Sequence, residues 1–552
     1  MKPKKHRLMK LTPLLLALCA ATNLNSHAID YIKDNNGTAL TTSGSYTIAG
    51  VPGASDTLVL DSTIGIGFNS VSLAISGGLS ILGIRQDATA VSVPIIGSGA
   101  ANALTLGTDG ILKNATALMR INAQVTLSGN QTWNVNAGTL RTSGAYTLTT
   151  GGNTLAINGA GTFEFNTNAA GTLGSGVTID VGTVSVTGGA SSALTLGGVN
   201  TFNSLSVSGG RVIGSSFGNF GVASNFGDGG TTTAITIGGS TTTGIFQYTG
   251  NTASSNRTFF RNVHNTTGTE NAVIEVSTAG QTLTLSGTLS SNAGGPTINS
   301  GWRFGGAGNL TIQGIINDQT NTSVTSVTKA DAGTVTLTAA NTYEGVTTVS
   351  GGTLLVNNAS GSGLGTGNAI VNGGKLGGTG GFTGAVTVNA GGTLSPGASI
   401  ETLGSGALTL NNGSAFEYEV NSGVATSVGA DLQKVTGALN LNSVVTLTLT
   451  DLNLTPTAFA IGTTFTLINY TGSWNNGLFT YNSSLLADGA SFTAGLNTWE
   501  IDYNATSQGL NFVGEQTAPN FVNITVVPEP TTSMLIAVGG LASMVFRRRR
   551  RA

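Results

Sequence analysis

Arg257, Phe259, Phe260, Arg261 and His264 form the densest basic and aromatic window of the chain between its two end segments. Two guanidinium groups flanking aromatic rings can grip an acidic sugar, with a ring as a stacking surface. His264 is the only histidine beyond residue 28. A single imidazole with no acid, thiol or second histidine nearby builds neither a triad nor a metal centre. The plainer reading is a loop that protrudes from the fold and carries solvated arginines.

Carboxylates are the next chemistry to weigh, because glycosidases need two at a fixed separation. Glu417 and Glu419 fall at i, i+2, as do Glu500 and Asp502. Alternation along a strand puts such pairs on one face without any catalytic demand. The readings Gly227-Asp228-Gly229-Gly230 and Asp109-Gly110 are isolated turn signals and not a nine-residue calcium repeat. No phosphate loop, zinc spacing or Ser/His/Asp set is visible. The sequence therefore predicts no catalytic residue, no metal site and no cofactor.

The elements that would position these residues are short. Runs such as TLVL at 57–60, TLAI at 154–157 and TVSVT at 183–187 alternate apolar and polar positions between Gly, Asn and Ser clusters. That is strand periodicity, with Val184 and Val186 as inward candidates. Gly-Gly-x-Leu signatures recur at 351–354, 373–376 and 391–394, spaced by 22 and 18 residues. Periods near 20 residues indicate a solenoid, in which stacked coils share a core that no coil can bury alone. Glycine supplies the positive-φ corners. Asparagine and threonine can pair with like residues one coil away. Coils of about 18–25 residues are expected. At a strand spacing of about 4.8 Å, about twenty coils would make a rod on the order of 100 Å.

Residues 329–356 (KADAGTVTLTAANTYEGVTTVSGGTLLV) sharpen this. They resemble the autotransporter-associated β-strand repeat: Lys329, Gly333-Thr334, Asn341-Thr342-Tyr343, Gly345-Val346-Thr347 and Gly352-Thr353-Leu354 fall where that pattern has its lysine, strands and turn. The resemblance implies a right-handed parallel β-helix on a secreted or surface protein. It does not imply an autotransporter, because a translocating barrel needs a membrane domain where this chain has an arginine cluster. Val335, Leu337, Leu354 and Val356 should point inward. Beyond Gly406 charge and aromatics increase, and 406–515 reads as a β-rich module that caps the solenoid against exposed strand edges. Residues 516–530 read as a linker.

The two ends read as addresses. Lys2, Lys4, Lys5, Arg7 and Lys10 precede an apolar run at 11–21, and Ser26-His27-Ala28 offers small residues to a signal peptidase, so 1–28 is a predicted signal peptide. Leu18 before Cys19 argues against lipidation, and cleavage leaves a body without cysteine. At the other end Pro528-Glu529-Pro530 is followed by an uncharged apolar run, 533–546, and then Arg547, Arg548, Arg549, Arg550 and Arg551. An apolar run closed by a basic cluster is a stop-transfer pattern with the basic side in the cytoplasm. Sixteen helical residues span only about 24 Å against a hydrocarbon core of about 30 Å, which suits a temporary anchor. This ordered trio resembles the PEP-CTERM sorting signal of Gram-negative bacteria. The resemblance implies that a membrane peptidase, exosortase, recognises the motif and removes the tail.

The whole chain has a formal charge of −2, yet ten of its 22 Lys and Arg residues lie in the two end segments while all 24 acids lie between them. The exported body is thus strongly acidic and has no nucleic-acid footprint. With charged residues at 8% and 83 glycines, abundant β-branched residues argue for long repetitive β-structure over disorder. The expected fold is all-β: a right-handed parallel β-helix over 29–405, the module at 406–515, the linker, and a short transmembrane sorting helix with its arginine cluster at 531–552. The expected function is an exported structural or adhesive protein of the cell surface or matrix, with signal peptidase, an exosortase-type peptidase and an exopolysaccharide as partners. A secreted polysaccharide-binding or polysaccharide-degrading β-helix is the alternative.

Overall fold

A computed structural model describes residues 29–529, apart from 35–38, 63–70, 74, 76–77, 91–93, 98–102, 144–146, 167–169, 174–176, 188–192, 231–232, 263–268, 292–299, 319–323, 398, 425–428 and 513–519. The predicted sorting helix and arginines lie outside the described residues. Among those described, the one helical element is a 3-10 turn, Ser43–Ser45, and no helix is long and apolar enough to cross a membrane. The rest is strand and turn, paired mainly in parallel.

The chain divides into two compact units, 1–164 with 176–181 and 165–175 with 182–552. In the first unit Leu58 pairs in register with Ile84, Ile84 with Ile111, Ile111 with Trp133, and Trp133 with Ile157. All five are buried. Alternation puts one residue of every two inside, and parallel stacking aligns the inside residues of successive coils into a file. Each such side chain contributes about 1.5–3 kcal/mol when fully buried.

The second unit repeats the device. Leu310 pairs with Val335, then Leu354, Leu376, Leu394 and Phe416 follow in one inward file. Val335, Leu337, Leu354 and Val356 all face the interior, at 2% exposure or less. Register advances by as few as 17 residues, from Ala369 to Val386, and by as many as 35, from Lys434 to Asn469. This range is wider than the expected 18–25. The long coils carry loops such as 452–463 that extend outward while the paired strands stay in register.

Two side-chain devices tie coil to coil. On the outside, Asn389 donates to Asn372, Asn411 to Asn389, and Asn442 to Asn411, at 2.7, 2.7 and 2.8 Å. Asn475 extends the ladder to Asn442 at 3.3 Å. On the inside, three lysines at strand ends are buried: Lys33, Lys113 and Lys329. The Lys329 ammonium donates to the carbonyls of Ala330, Asp331 and Gly351 at 2.5, 2.8 and 3.0 Å. Lys113 donates to the Ala115 carbonyl and to that of Ala137 at 2.8 Å, and Lys33 to Asp34 at 2.9 Å. Each ammonium satisfies carbonyls that a corner turns away from the ladder. Gly352 completes this corner at φ +60°, where a Cβ would lie 2.4 Å from the carbonyl oxygens of Asp331 and Gly333.

The parallel registers run through Gly406 without a break: Val386 pairs with Leu408, and Leu408 with Leu439. Antiparallel pairing begins further on. Strand Asn520–Val527 lies between Thr464–Tyr470 and Asn497–Ala505, antiparallel to both, in a six-stranded sheet. The expected linker at 516–530 therefore contains a central strand. Its alternation buries Phe521, Val522, Ile524 and Val526, and that burial orders the segment.

Candidate functional site

The window around Arg257 is not a solvated loop. Phe259–Arg261 is a strand, and Arg257, Phe259 and Arg261 are each 0% exposed. Phe259 stacks edge-on with Phe246 and Phe217, and the Arg257 guanidinium lies 5.7 Å from the Phe217 ring centroid. Arg257 Nη1 donates to the carbonyl of Phe226 at 2.7 Å. Arg261 Nη2 donates to Thr325 Oγ1 at 3.0 Å. Burial pushes both guanidinium groups down to about 10, with Asp228 and Asp318 acting in the opposite sense. Both remain cationic at neutral pH, Arg257 held by an aromatic face and carbonyls and Arg261 by the Thr325 hydroxyl. An external sugar does not reach them. Phe260 is half-buried on the other side of the strand, and His264 lies outside the described residues.

Glu417 and Glu419 share the outward face of Ala415–Val420, both half-buried. Glu417 pairs with Lys375 two coils away. Burial raises the Glu419 carboxyl, and Glu417 and Glu401 push it further while Lys375 opposes. Asp431 is fully buried beside them. Its two oxygens accept the backbone N–H of Glu401 at 3.2 Å and of Glu419 at 3.0 Å. Burial lifts its pKa to about 8 against these two bonds, helped by Glu419 and Glu401. The four acids thus form a set that strand alternation alone did not reveal, since Glu401 and Asp431 arrive from neighbouring coils. Two of the four hold backbone: besides Asp431, Glu401 accepts from Ser399 N at 3.1 Å. Among the described residues no group of three or more such side chains is arranged to hold a metal ion. Glu500 and Asp502 are exposed on one strand face.

A hollow of about 390 Å³ opens where Phe479–Tyr481 pairs with only the first residues of Val445–Asp451. Thr446, Thr448, Thr480, Tyr481, Asn482 and Ser483 line it. It offers hydroxyls, an amide and a ring edge, and no carboxylate, histidine or basic side chain.

The sorting motif is the best-exposed of the predicted sites. Pro528 and Glu529 are both exposed, immediately after the strand ending at Val527. Pro530 and the five arginines lie outside the described residues. The lysine cages were visible only in part. Lys329 belongs to the repeat. Lys33 shares its Lys-x-x-x-Gly-Thr spacing (Lys33, Gly37, Thr38 against Lys329, Gly333, Thr334), which is the signal that finds it. Lys113 has no such spacing.

Parallel coils, cage lysines and a motif at the exit of the last strand define an all-β solenoid protein carrying an export address. Residues 327–356 match the passenger-associated-transport-repeat family, and residues 526–551 match the PEP-CTERM protein-sorting motif. The chain is also similar to "Adhesin BmaC autotransporter" of Brucella suis biovar 1 (strain 1330), 31% identical over 287 residues, or 46% of this chain. The aligned part is 8% of that protein, so the chain spans a small fraction of its relative's length.

Proposed function

We propose that this chain is an exported structural or adhesive protein of the cell surface or extracellular matrix, released or re-anchored by cleavage at its sorting motif. The observation that carries the reading is the motif itself: Pro528 and Glu529 stand exposed directly after the last strand, within the stretch that matches the sorting signal. A signal peptidase acts at the N-terminus and an exosortase-type peptidase at Pro528-Glu529-Pro530. The tail, 531–552, anchors the chain transiently as a membrane helix, with Arg547, Arg548, Arg549, Arg550 and Arg551 on the cytoplasmic side. The similarity to an adhesin supports an adhesive use of the solenoid face, with exopolysaccharide as the ligand class. The test is the intact mass of protein exported from a host that carries the peptidase, beside a Pro528→Ala/Glu529→Ala/Pro530→Ala variant. Wild type should have lost the arginine cluster and the variant should keep it. A cluster still attached to released wild type rejects the reading.

The set formed by Glu401, Glu417, Glu419 and Asp431 favours a second reading, a polysaccharide-binding or polysaccharide-degrading solenoid. Incubation with a panel of acidic and neutral polysaccharides tests it. Depolymerisation that disappears in Glu417→Gln/Glu419→Gln would establish this second reading over the first.

A further inference from the structure

The end of the six-stranded sheet from which the tail departs is built differently from an ordinary solvated edge. Val527 pairs with Thr498 and Thr525 with Thr464. Two turns therefore flank the departing chain. One is Gly495-Leu496, joining Ser491–Ala494 to Asn497–Ala505. The other is Ala460-Ile461-Gly462, whose Gly462 N–H donates to the Val526 carbonyl at 2.8 Å. The two turns are tied to each other, since Phe459 N donates to Asn497 Oδ1 at 2.8 Å. Each presents a large aliphatic side chain to solvent: Ile461 is 69% and Leu496 59% exposed. Leu454, 99% exposed, is carried by the same loop as Ile461. The turn glycines Gly462 and Gly495 have positive φ and open space around them, so nothing among the described residues covers these tips.

The chain itself says what lies beyond. Only five residues, Pro528 to Thr532, separate this sheet end from the uncharged apolar run at 533–546. Fully extended they reach about 17 Å. The headgroup layer on each side of a bilayer is roughly 5–8 Å thick. If the apolar run enters a membrane, the sheet end is held against the headgroups, and aliphatic tips there fall at the boundary with the acyl chains.

We propose that this sheet end, through Ile461 and Leu496, is a membrane-contact surface that seats the folded body on the lipid bilayer while the tail is still attached. The proposal rests on the sorting-tail reading above. The partner is the lipid itself. Contact through apolar tips needs no anionic headgroup, and the acidic body supplies no basic patch to seek one. Seating in this pose fixes Pro528 and Glu529 at the bilayer surface, within reach of a membrane-embedded peptidase.

The body's lack of cysteine allows a direct test. Single-cysteine versions of the full chain, each with Cys19→Ser, carry Ile461→Cys, Leu496→Cys, Ala542→Cys or, as a control several coils away, Val222→Cys. Each is labelled with an environment-sensitive fluorophore and reconstituted in phosphatidylcholine vesicles containing a spin-labelled lipid. The expected result is loss of fluorescence for probes at 461, 496 and 542 and none at 222. Quenching at 542 without quenching at 461 and 496 overturns the contact surface and leaves the anchor standing. In that case the exposed tips await a protein, such as the peptidase. No quenching at 542 removes the sorting-tail reading and this proposal with it. Quenching at 222 equal to that at 461 and 496 also overturns it, because the contact would then be unspecific.

Discussion

The Lys329 ammonium donates to the carbonyl of Gly351, 22 residues further along the chain, at 3.0 Å. It is a buried cross-tie between consecutive coils, made by the lysine of the repeat. Lys113 makes the same tie to Ala137 at 2.8 Å.

Lys329→Met keeps the length of the stem and removes the donor. Three carbonyls lose their partner, offset in part by relief of a buried charge, so a loss of about 2 kcal/mol at pH 7 is expected. Burial pushes the Lys329 pKa down to about 8, with Arg303 adding to it and Asp331 opposing. Above that pH the unfolded chain holds the proton more tightly than the folded one, so this lysine's contribution to stability rises with pH until its unfolded pKa is reached. Denaturant unfolding between about pH 8 and pH 10.5, the window between the two pKa values, should show a rise in wild type that is smaller in the variant.

Asp431 has the opposite sign. Its folded pKa of about 8 lies above the ordinary carboxylate range. Its contribution is present in acid and is lost as pH rises from the unfolded value through the folded one. Asp431→Asn should flatten the stability profile across that window. At the acid end the variant should be the less stable, because its amide N–H must face the backbone donor of Glu401 or Glu419. A profile of unchanged slope would show that Asp431 is ionised in the folded protein.

Asn411 both donates to Asn389 and accepts from Asn442. Asn411→Ala removes both bonds at a partly exposed position, for a cost of about 1–2 kcal/mol. Asn411→Asp keeps the acceptor and loses the donor, and should fall between wild type and Ala. Thermal unfolding of the two variants beside wild type measures the order.

Truncation separates the sorting tail from the fold. A chain ending at Val527 keeps every pairing of the last strand and should melt at the wild-type temperature. A chain ending at Gln516 lacks that strand and uncovers Phe465, Trp499 and Ile501, all now buried. It should lose the cooperative unfolding of the C-terminal sheet and bind a hydrophobic dye. Equal melting of the two chains would contradict the central position of the strand.

The inward file from Leu310 to Phe416 was legible because period-2 alternation and the Gly-Gly-x-Leu spacing are local signals. The asparagine pairing was legible as a kind of contact, and the structure assigns it to 372, 389, 411 and 442. Arg257 and Arg261 misled because charge normally means solvent. Their burial depends on partners supplied by distant residues, a carbonyl and a ring for Arg257 and the Thr325 hydroxyl for Arg261, which no local pattern displays. Asn520–Val527 reads as linker in the sequence because it sits between an irregular stretch and the prolines. Its pairings reach back 50 residues, from Asn520 to Tyr470, and 29, from Val527 to Thr498. The carboxylate set was half legible: Glu417 and Glu419 share a strand, while Glu401 and Asp431 join them only through coil stacking.

The placement of Asn520–Val527 has a mechanical consequence. Antiparallel hydrogen bonds run perpendicular to the strands they join. A pull on the tail along this strand therefore loads the bonds to Thr464–Tyr470 and to Asn497–Ala505 together, in shear, instead of peeling them one by one. An anchor attached at Val527 would transmit drag on the body into both neighbouring strands at once. Pulling in a single-molecule force instrument should then find a high rupture force at this terminus and a low one for an edge strand such as Ser491–Ala494.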